Sequence, residues 1–355
     1  MSKKGKVVQL ASSSYQCSKV RVSVPASCTT FSSLGTVGCA LNIRDTFTVE
    51  ERTTFTDSVT IKGEGYSTDP KDSSNLLIQV IKATRNVLGE AQTGLNIICE
   101  NRIPQACGLG SSASTITAGV TAALALSPSY SPKRDLICDL AAQMEGSIGN
   151  VAASVYGGVA TGWYFDRGTQ IPNSVVTTQT SSQKTQNKPF ETYADGWHTA
   201  VSPISSQISA ILLIPTNHLN DRARLPKGTQ FTPNQTQQIA AQSTTLFQIL
   251  TQPSIFTMAD LFAITGEQVH LTNRDELLPD SWQLMTHLRS LGYPAFITGA
   301  GPAIIMFYSD SDSETKSEEK ILTTLRQSIA REWLGTGRWY IKSISFDRQG
   351  IEIIG

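Results

Sequence analysis

A two-lobed α+β fold is what this sequence predicts, on three observations. With 355 residues, 39% of them hydrophobic, the chain can fill two packed cores. Strand-like and helix-like segments intermix without a repeating strand–helix–strand unit, which argues against a doubly wound sheet. A stretch from about 168 to 197, rich in Thr, Ser, Gln and Asn with almost no core formers, reads as a surface insertion. The lobes are therefore expected at 1–200, carrying that insertion, and 201–355.

The first lobe opens with alternating polar and apolar residues at Lys19 to Val24, repeated at Phe47 to Glu50, and both read as half-buried strands. Pro25 to Asp45, with Gly35 and Gly38, is turn-rich; Lys62 to Ser74 reads as loop. Asn75 opens an amphipathic helix to about Leu88. Leu95 to Cys99 is a strand. A helix follows to about Leu126, another spans about Lys133 to Met144, and Val159 to Tyr164 is a strand. In the second lobe Ile208 to Pro215 is a nearly wholly apolar strand. Helices are expected at about 235–250, 258–269, 280–291 and 317–333, with strands at 295–298, 303–308, about 339–346 and 350–354.

The most informative string is Ile103-Pro104-Gln105-Ala106-Cys107-Gly108-Leu109-Gly110-Ser111-Ser112-Ala113-Ser114, between a strand and a long Ala/Thr-rich helix. Glycines let a backbone approach a phosphate closely, and the helix that follows presents its positive end. A hydroxyl at the helix start adds a hydrogen bond or a metal ligand. The bland reading is a strand-to-helix turn with a serine cap.

Composition narrows the function. Twenty-nine basic against 29 acidic residues give a net charge of zero, so no global attraction to nucleic acid or an anionic membrane is implied. The basic start Met1 to Lys6 is followed only by short apolar runs, and no run reaches membrane-helix length. The six cysteines lack CxxC spacing and read as free thiols in a reducing cytoplasm. Cys107 lies in the glycine loop with no His near it in sequence, which leaves a thiolate nucleophile unsupported. Zinc spacing, the GxxxxGK[ST] loop and the protein-kinase HRD and DFG strings are absent.

Val24-Pro25-Ala26-Ser27, the Pro104 to Ser114 loop and Thr298-Gly299-Ala300-Gly301-Pro302 resemble, in order and spacing, the three signature motifs of the GHMP kinases, small-molecule kinases that include galactokinase, homoserine kinase and mevalonate kinase. Gly63 to Thr68 before Asn75, Asn150-Val151-Ala152 before Gly157-Gly158, and Glu267 to His270 with Arg274 are similar to the homoserine kinase branch. The resemblance implies a ribosomal-protein-like N-terminal lobe and a ferredoxin-like C-terminal lobe. It also implies Mg-ATP-dependent phosphorylation of the side-chain hydroxyl of L-homoserine.

On that resemblance Asn75 lies near the adenine, and Pro104, Gly108, Leu109, Gly110, Ser111, Ser112, Ala113 and Ser114 line the nucleotide. Ser111 or Ser112 holds Mg²⁺ with Glu145. Thr30, Asn150, Arg222, Arg274, Gly299 and Gly301 line the acceptor, the two arginines gripping its carboxylate. The partners implied are ATP and a small hydroxyl acceptor; a homodimer is compatible with the chain and not required by it.

The residue types suit the chemistry independently. Phosphoryl transfer needs positioning and charge neutralisation more than covalent chemistry. Mg²⁺ takes oxygen ligands and keeps several waters. A planar guanidinium suits a carboxylate.

The chain departs from the family in three places. Thr30 stands for an Asn, Gly35 for an Asp that faces the substrate ammonium, and Gly149 for the Asp of an Asp-Asn pair, in a first motif one residue shorter than usual. Asn150 cannot accept a proton at neutral pH, so the phosphate itself is expected to take the hydroxyl proton. Two alternatives remain open: another acceptor, such as threonine, a polyol or a mevalonate-like acid, and a nucleotide-binding homologue without turnover. Residue by residue, Glu145 also reads as a surface acid, Arg222 as a surface loop residue, His270 and Arg274 as a helix-end pair, and Gly299 to Pro302 as a tight turn.

Overall fold

The computed structural model describes residues 18–30, 37–165, 196–216, 232–266, 274–309 and 318–354. Two sheets organise it. The first begins with β1 (Lys19–Thr29) antiparallel to β2 (Gly38–Arg52), in a register that sets Val22 against Phe47. A register shift falls between Pro25 and Ala26, where proline has no N–H for the ladder. Both strands run well into the segment expected to be turns. Beyond Val22 every residue of β1 is buried, so the two-residue alternation that reveals a half-buried strand is absent there.

β3 (Ser58–Gly63) pairs in parallel with β4 (Gly94–Asn101), and β4 is antiparallel to β2. The sequence shows no strand pattern over 58–61 and reads as loop from Lys62, yet the strand runs through Ser58–Gly63. Only Ile61 of β3 is buried, and the strand sits at the edge of the sheet, so it carries little apolar signal. Between β3 and β4 lies α1 (Leu76–Leu88), capped at its start by the Asn75 side chain and ended by Gly89 in the left-handed conformation.

Three helices follow: α2 (Ser111–Ala125), α3 (Arg134–Glu145) and α4 (Ile148–Tyr156). α4 was not expected as a helix. Its sequence, Ile-Gly-Asn-Val-Ala-Ala-Ser-Val-Tyr, has almost no polar face because seven of its residues are buried. The hairpin of β5 (Val159–Phe165) and β6 (Gly196–Ser202) joins the same sheet through the start of β2. Most of the polar stretch 168–197 lies outside the described residues; its last two, Gly196 and Trp197, open β6.

The second sheet has the order β10-β7-β9-β8, all antiparallel: β7 (Ile208–Pro215), β8 (Ala295–Ile297), β9 (Ile304–Ser309) and β10 (Trp339–Ile344). The apolar run of β7 is explained by its two covered faces. Ile208, Ala210, Leu212 and Ile214 enter the core shared with β1, β2 and the glycine loop, while Ile211 and Leu213 enter a second core. That second core is closed by α8 (Pro279–Ser290) and α9 (Glu318–Ile329). The shared core is closed by α5 (Pro233–Thr251) and α6 (Met258–Gly266), and the four-residue α7 (Arg274–Leu277) precedes α8.

The chain end does not stay with the second sheet. β11 (Glu352–Ile353) returns to the first, pairing Val22 with Ile353. Arg44 fixes this return, ion-pairing with Asp347 and Glu352 and donating to Gly350 O at 2.7 Å. A division at residue 200 therefore leaves the last strand with the wrong sheet.

Candidate active site

The glycine loop starts where β4 ends. The Asp45 carboxylate on β2 accepts the backbone N–H groups of Arg102 at 2.7 Å and Ile103 at 2.9 Å. Ile103, Cys107 and Leu109 then turn into the shared core, which pins the loop from beneath at three points. Gly108 and Gly110 have φ of 76° and 73°, in the left-handed region that glycine adopts without strain.

Both glycines are also demanded by close approach. A Cβ on Gly108 would lie 2.0 Å from Thr298 O, and one on Gly110 would lie 2.1 Å from Ser27 Oγ. Backbone bonds complete the junction: Ser27 N–H donates to Leu109 O at 3.1 Å, Ala303 N–H to Cys107 O at 3.1 Å, and the Thr298 hydroxyl to Gly108 O at 3.0 Å. The three motif segments, far apart in sequence, thus meet at one place.

Gly110 is the N-cap of α2 and brings no side chain to cap it. The first helical N–H groups have no intrahelical acceptors, so Ser111, Ser112 and Ala113 present donors at the positive end of a fifteen-residue helix. Ser114 already donates its N–H to Gly110 O. The Ala113 and Ser114 side chains are buried, and the Ser114 hydroxyl faces Asp45 Oδ2 at 3.5 Å. Pro104 is buried too.

Beside these donors the Ser112 hydroxyl donates to Glu145 Oε2 at 2.7 Å. Glu145 ends α3, and a carboxylate at the negative end of a helix opposes the dipole, so its place is poorly explained as a stabilising surface acid. A hydroxyl and a carboxylate side by side suit Mg²⁺, which retains waters and phosphate oxygens for its other positions. Among the described residues no group of three or more His, Cys, Asp or Glu could hold a metal ion, so a dedicated all-protein cage is not formed there.

Asn150, in the first turn of α4, is oriented at both ends of its amide. Ser27 Oγ donates to its Oδ1 at 3.0 Å, and its Nδ2 donates to Ser147 Oγ at 3.3 Å. Gly149 sits hard against β2: a Cβ on Gly38 would lie 2.1 Å from Gly149 O. Thr30 follows β1, is 2% exposed, and its hydroxyl oxygen has no hydrogen-bond partner. Its neighbour Thr29 accepts Gly299 N–H at 2.8 Å, which ties this corner to the Gly299–Gly301 turn.

Asn75 accepts Leu77 N–H at 3.0 Å and donates to Pro70 O at 2.8 Å, so its side chain is engaged as a helix cap. Arg274 begins α7. Arg222, Gly35 and His270 lie outside the described residues. Burial pushes the Cys107 thiol well above the ordinary range, the wrong direction for a nucleophile. Asp45 was missed: burial raises its carboxyl to about 6, partly offset by the two backbone donors.

With this geometry in hand, comparison defines the class. Residues 75–158 match the GHMP kinases N terminal domain. The homoserine kinase of Corynebacterium urealyticum is 30% identical over 304 residues, covering 85% of this chain and 90% of the relative. The chain belongs to the homoserine kinase family of the GHMP kinases. The crystal structure of homoserine kinase from Cytophaga hutchinsonii superposes with a TM-score of 0.65 at 19% identity, covering 99% of this chain and 100% of that one. A further structural neighbour, MDDEF in complex with MVAPP, AMPPCP and magnesium, has a TM-score of 0.58 at 14% identity and covers 95% of this chain and 98% of that one.

Proposed function

We propose that this chain transfers the terminal phosphoryl group of ATP to the side-chain hydroxyl of L-homoserine, giving O-phospho-L-homoserine and ADP, a step toward threonine. The observation that carries the reading is the junction at Gly108, where the uncapped start of α2, the Ser112–Glu145 pair and the oriented Asn150 amide surround one corner. Family membership supplies the acceptor.

In this reading the N–H groups of Ser111 to Ala113 take the phosphate oxygens, and preorganised donors of this kind act where charge develops. Ser112 and Glu145 would hold Mg²⁺, which when bound neutralises phosphate charge. Asn150 Nδ2 uses one hydrogen on Ser147 and keeps the other for the acceptor oxygen. That donor orients the hydroxyl and cannot take its proton. The new bond joins the acceptor oxygen to the terminal phosphorus as the bond to the ADP oxygen breaks, and the hydroxyl proton goes to a phosphoryl oxygen.

Thr30, whose buried hydroxyl lacks a partner, suits a polar group of the acceptor, and Arg222 and Arg274 are the groups proposed for its carboxylate. Because Thr30 and Gly149 replace family polar residues, a different hydroxyl acceptor is the second reading. Incubation with Mg-ATP and L-homoserine followed by phosphorus NMR separates the two. A new phosphomonoester coupled to the side-chain methylene supports homoserine; ADP formed only with another acceptor supports the second.

A further inference from the structure

We infer that Asp45 is a positioning residue for the glycine loop, holding both of its ends at the separation that lets its amides converge on the triphosphate. The inference rests on the proposed role of that loop. Asp45 is 2% exposed on β2, a strand flanked by β1 and β4 on its two sides. Its Oδ1 accepts both Arg102 and Ile103 N–H groups, the point at which the chain leaves β4, and its Oδ2 faces Ser114 Oγ at 3.5 Å in the first turn of α2.

One rigidly held carboxyl therefore spans the segment 104–113 from start to finish. The chain departs and returns across it. Arg44, its neighbour, is committed to Asp347, Gly350 and Glu352 and lends it no charge. The titratable groups that bear on Asp45 are Glu64 after β3 and the Cys99 thiol of β4, while β1 opposes it with Val24 and α2 with Ser114.

None of these is a cation, and the two backbone donors share one oxygen. What the site requires is an acceptor at Oδ1 with a second polar atom toward Ser114, an arrangement an amide reproduces. Burial of a carboxyl for that purpose alone would be a costly way to satisfy two N–H groups. Its place across both ends of the loop gives it a further use.

The test is steady-state kinetics with ATP binding measured separately by calorimetry. Asp45→Ala should raise the KM for ATP about tenfold, as expected when a charged hydrogen bond holding the loop is lost, and leave the acceptor KM within about twofold. Asp45→Asn should restore the KM for ATP to within about twofold of the parent, since it keeps the acceptor and the reach. Asp45→Ser, small and polar but too short to span, carries the same test should the alanine variant not fold. Equal change in both KM values, an Asn variant no better than Ala, or unchanged ATP binding in the short variants overturns the inference. Parent enzyme that binds no ATP would overturn the reading of the loop itself, a separate result.

Discussion

At the scale of single residues, Thr30 is the most exposing test, because its two effects have opposite directions. A buried hydroxyl without a partner costs stability in the free protein, so Thr30→Val should leave thermal stability unchanged or raise it by about 1 kcal/mol. The same variant should raise the KM for homoserine about tenfold if the hydroxyl waits for the acceptor. The Ser112–Glu145 contact supports a second prediction: Ser112→Ala should raise the Mg²⁺ concentration needed for half-maximal activity about tenfold while leaving the melting temperature unmoved, read by magnesium titration. Both residues were legible in the sequence because they lie in or beside recognisable strings. Asp45 was not. It stands in a strand whose neighbours Arg44 and Thr46 are also polar, and only tertiary packing shows that the chain seals it under the loop.

At the scale of elements, the glycine loop is a backbone junction, and its conformational demands are steep. Gly108→Ala places a methyl 2.0 Å from the Thr298 carbonyl at a φ of 76°, with backbone on the receiving side. Strain of this kind is worth on the order of 1–3 kcal/mol before the clash is counted. The variant should therefore melt earlier and lose ATP binding, as followed by thermal unfolding with and without nucleotide. The elements that the sequence concealed have one cause in common. The second half of β1, the start of β2 and most of α4 are buried on nearly every side and built largely from Ala, Ser, Cys, Gly and Val. Burial on all faces removes the polar phase that periodicity depends on. β3 failed for the opposite reason, with one buried residue at a sheet edge.

At the scale of the whole molecule, the two sheets share a core that includes the loop residues Ile103, Cys107 and Leu109, so the site and the packing of the sheets are coupled. Asp45 sits in this arrangement with a carboxyl raised from 3.8 to about 6 by desolvation. Below about pH 4 both folded and unfolded states are protonated there. Between about 4 and 6 the folded state keeps a proton that the unfolded state has released, so stability falls as pH rises through this window, by on the order of 3 kcal/mol, and is flat for this group above it. Chemical unfolding at pH 4.5 and pH 7 should show about 2 kcal/mol of that loss in the parent, the rest having occurred below pH 4.5, and none of it in Asp45→Asn. The return of β11 to the first sheet was hidden because a two-residue pairing leaves almost no pattern, whereas the three motifs were readable because close backbone approach restricts which residues fit. The proposed function requires this junction to deliver the terminal phosphate of ATP to homoserine. ADP release coupled to acceptor, measured with L-homoserine, L-threonine, a polyol and mevalonate at equal concentration, tests it most directly. The kcat/KM for L-homoserine should lie at least about a hundredfold above that of every other acceptor, a difference of roughly 3 kcal/mol in transition-state binding. ATP binding with no acceptor-dependent release, or preference for another alcohol, would contradict it.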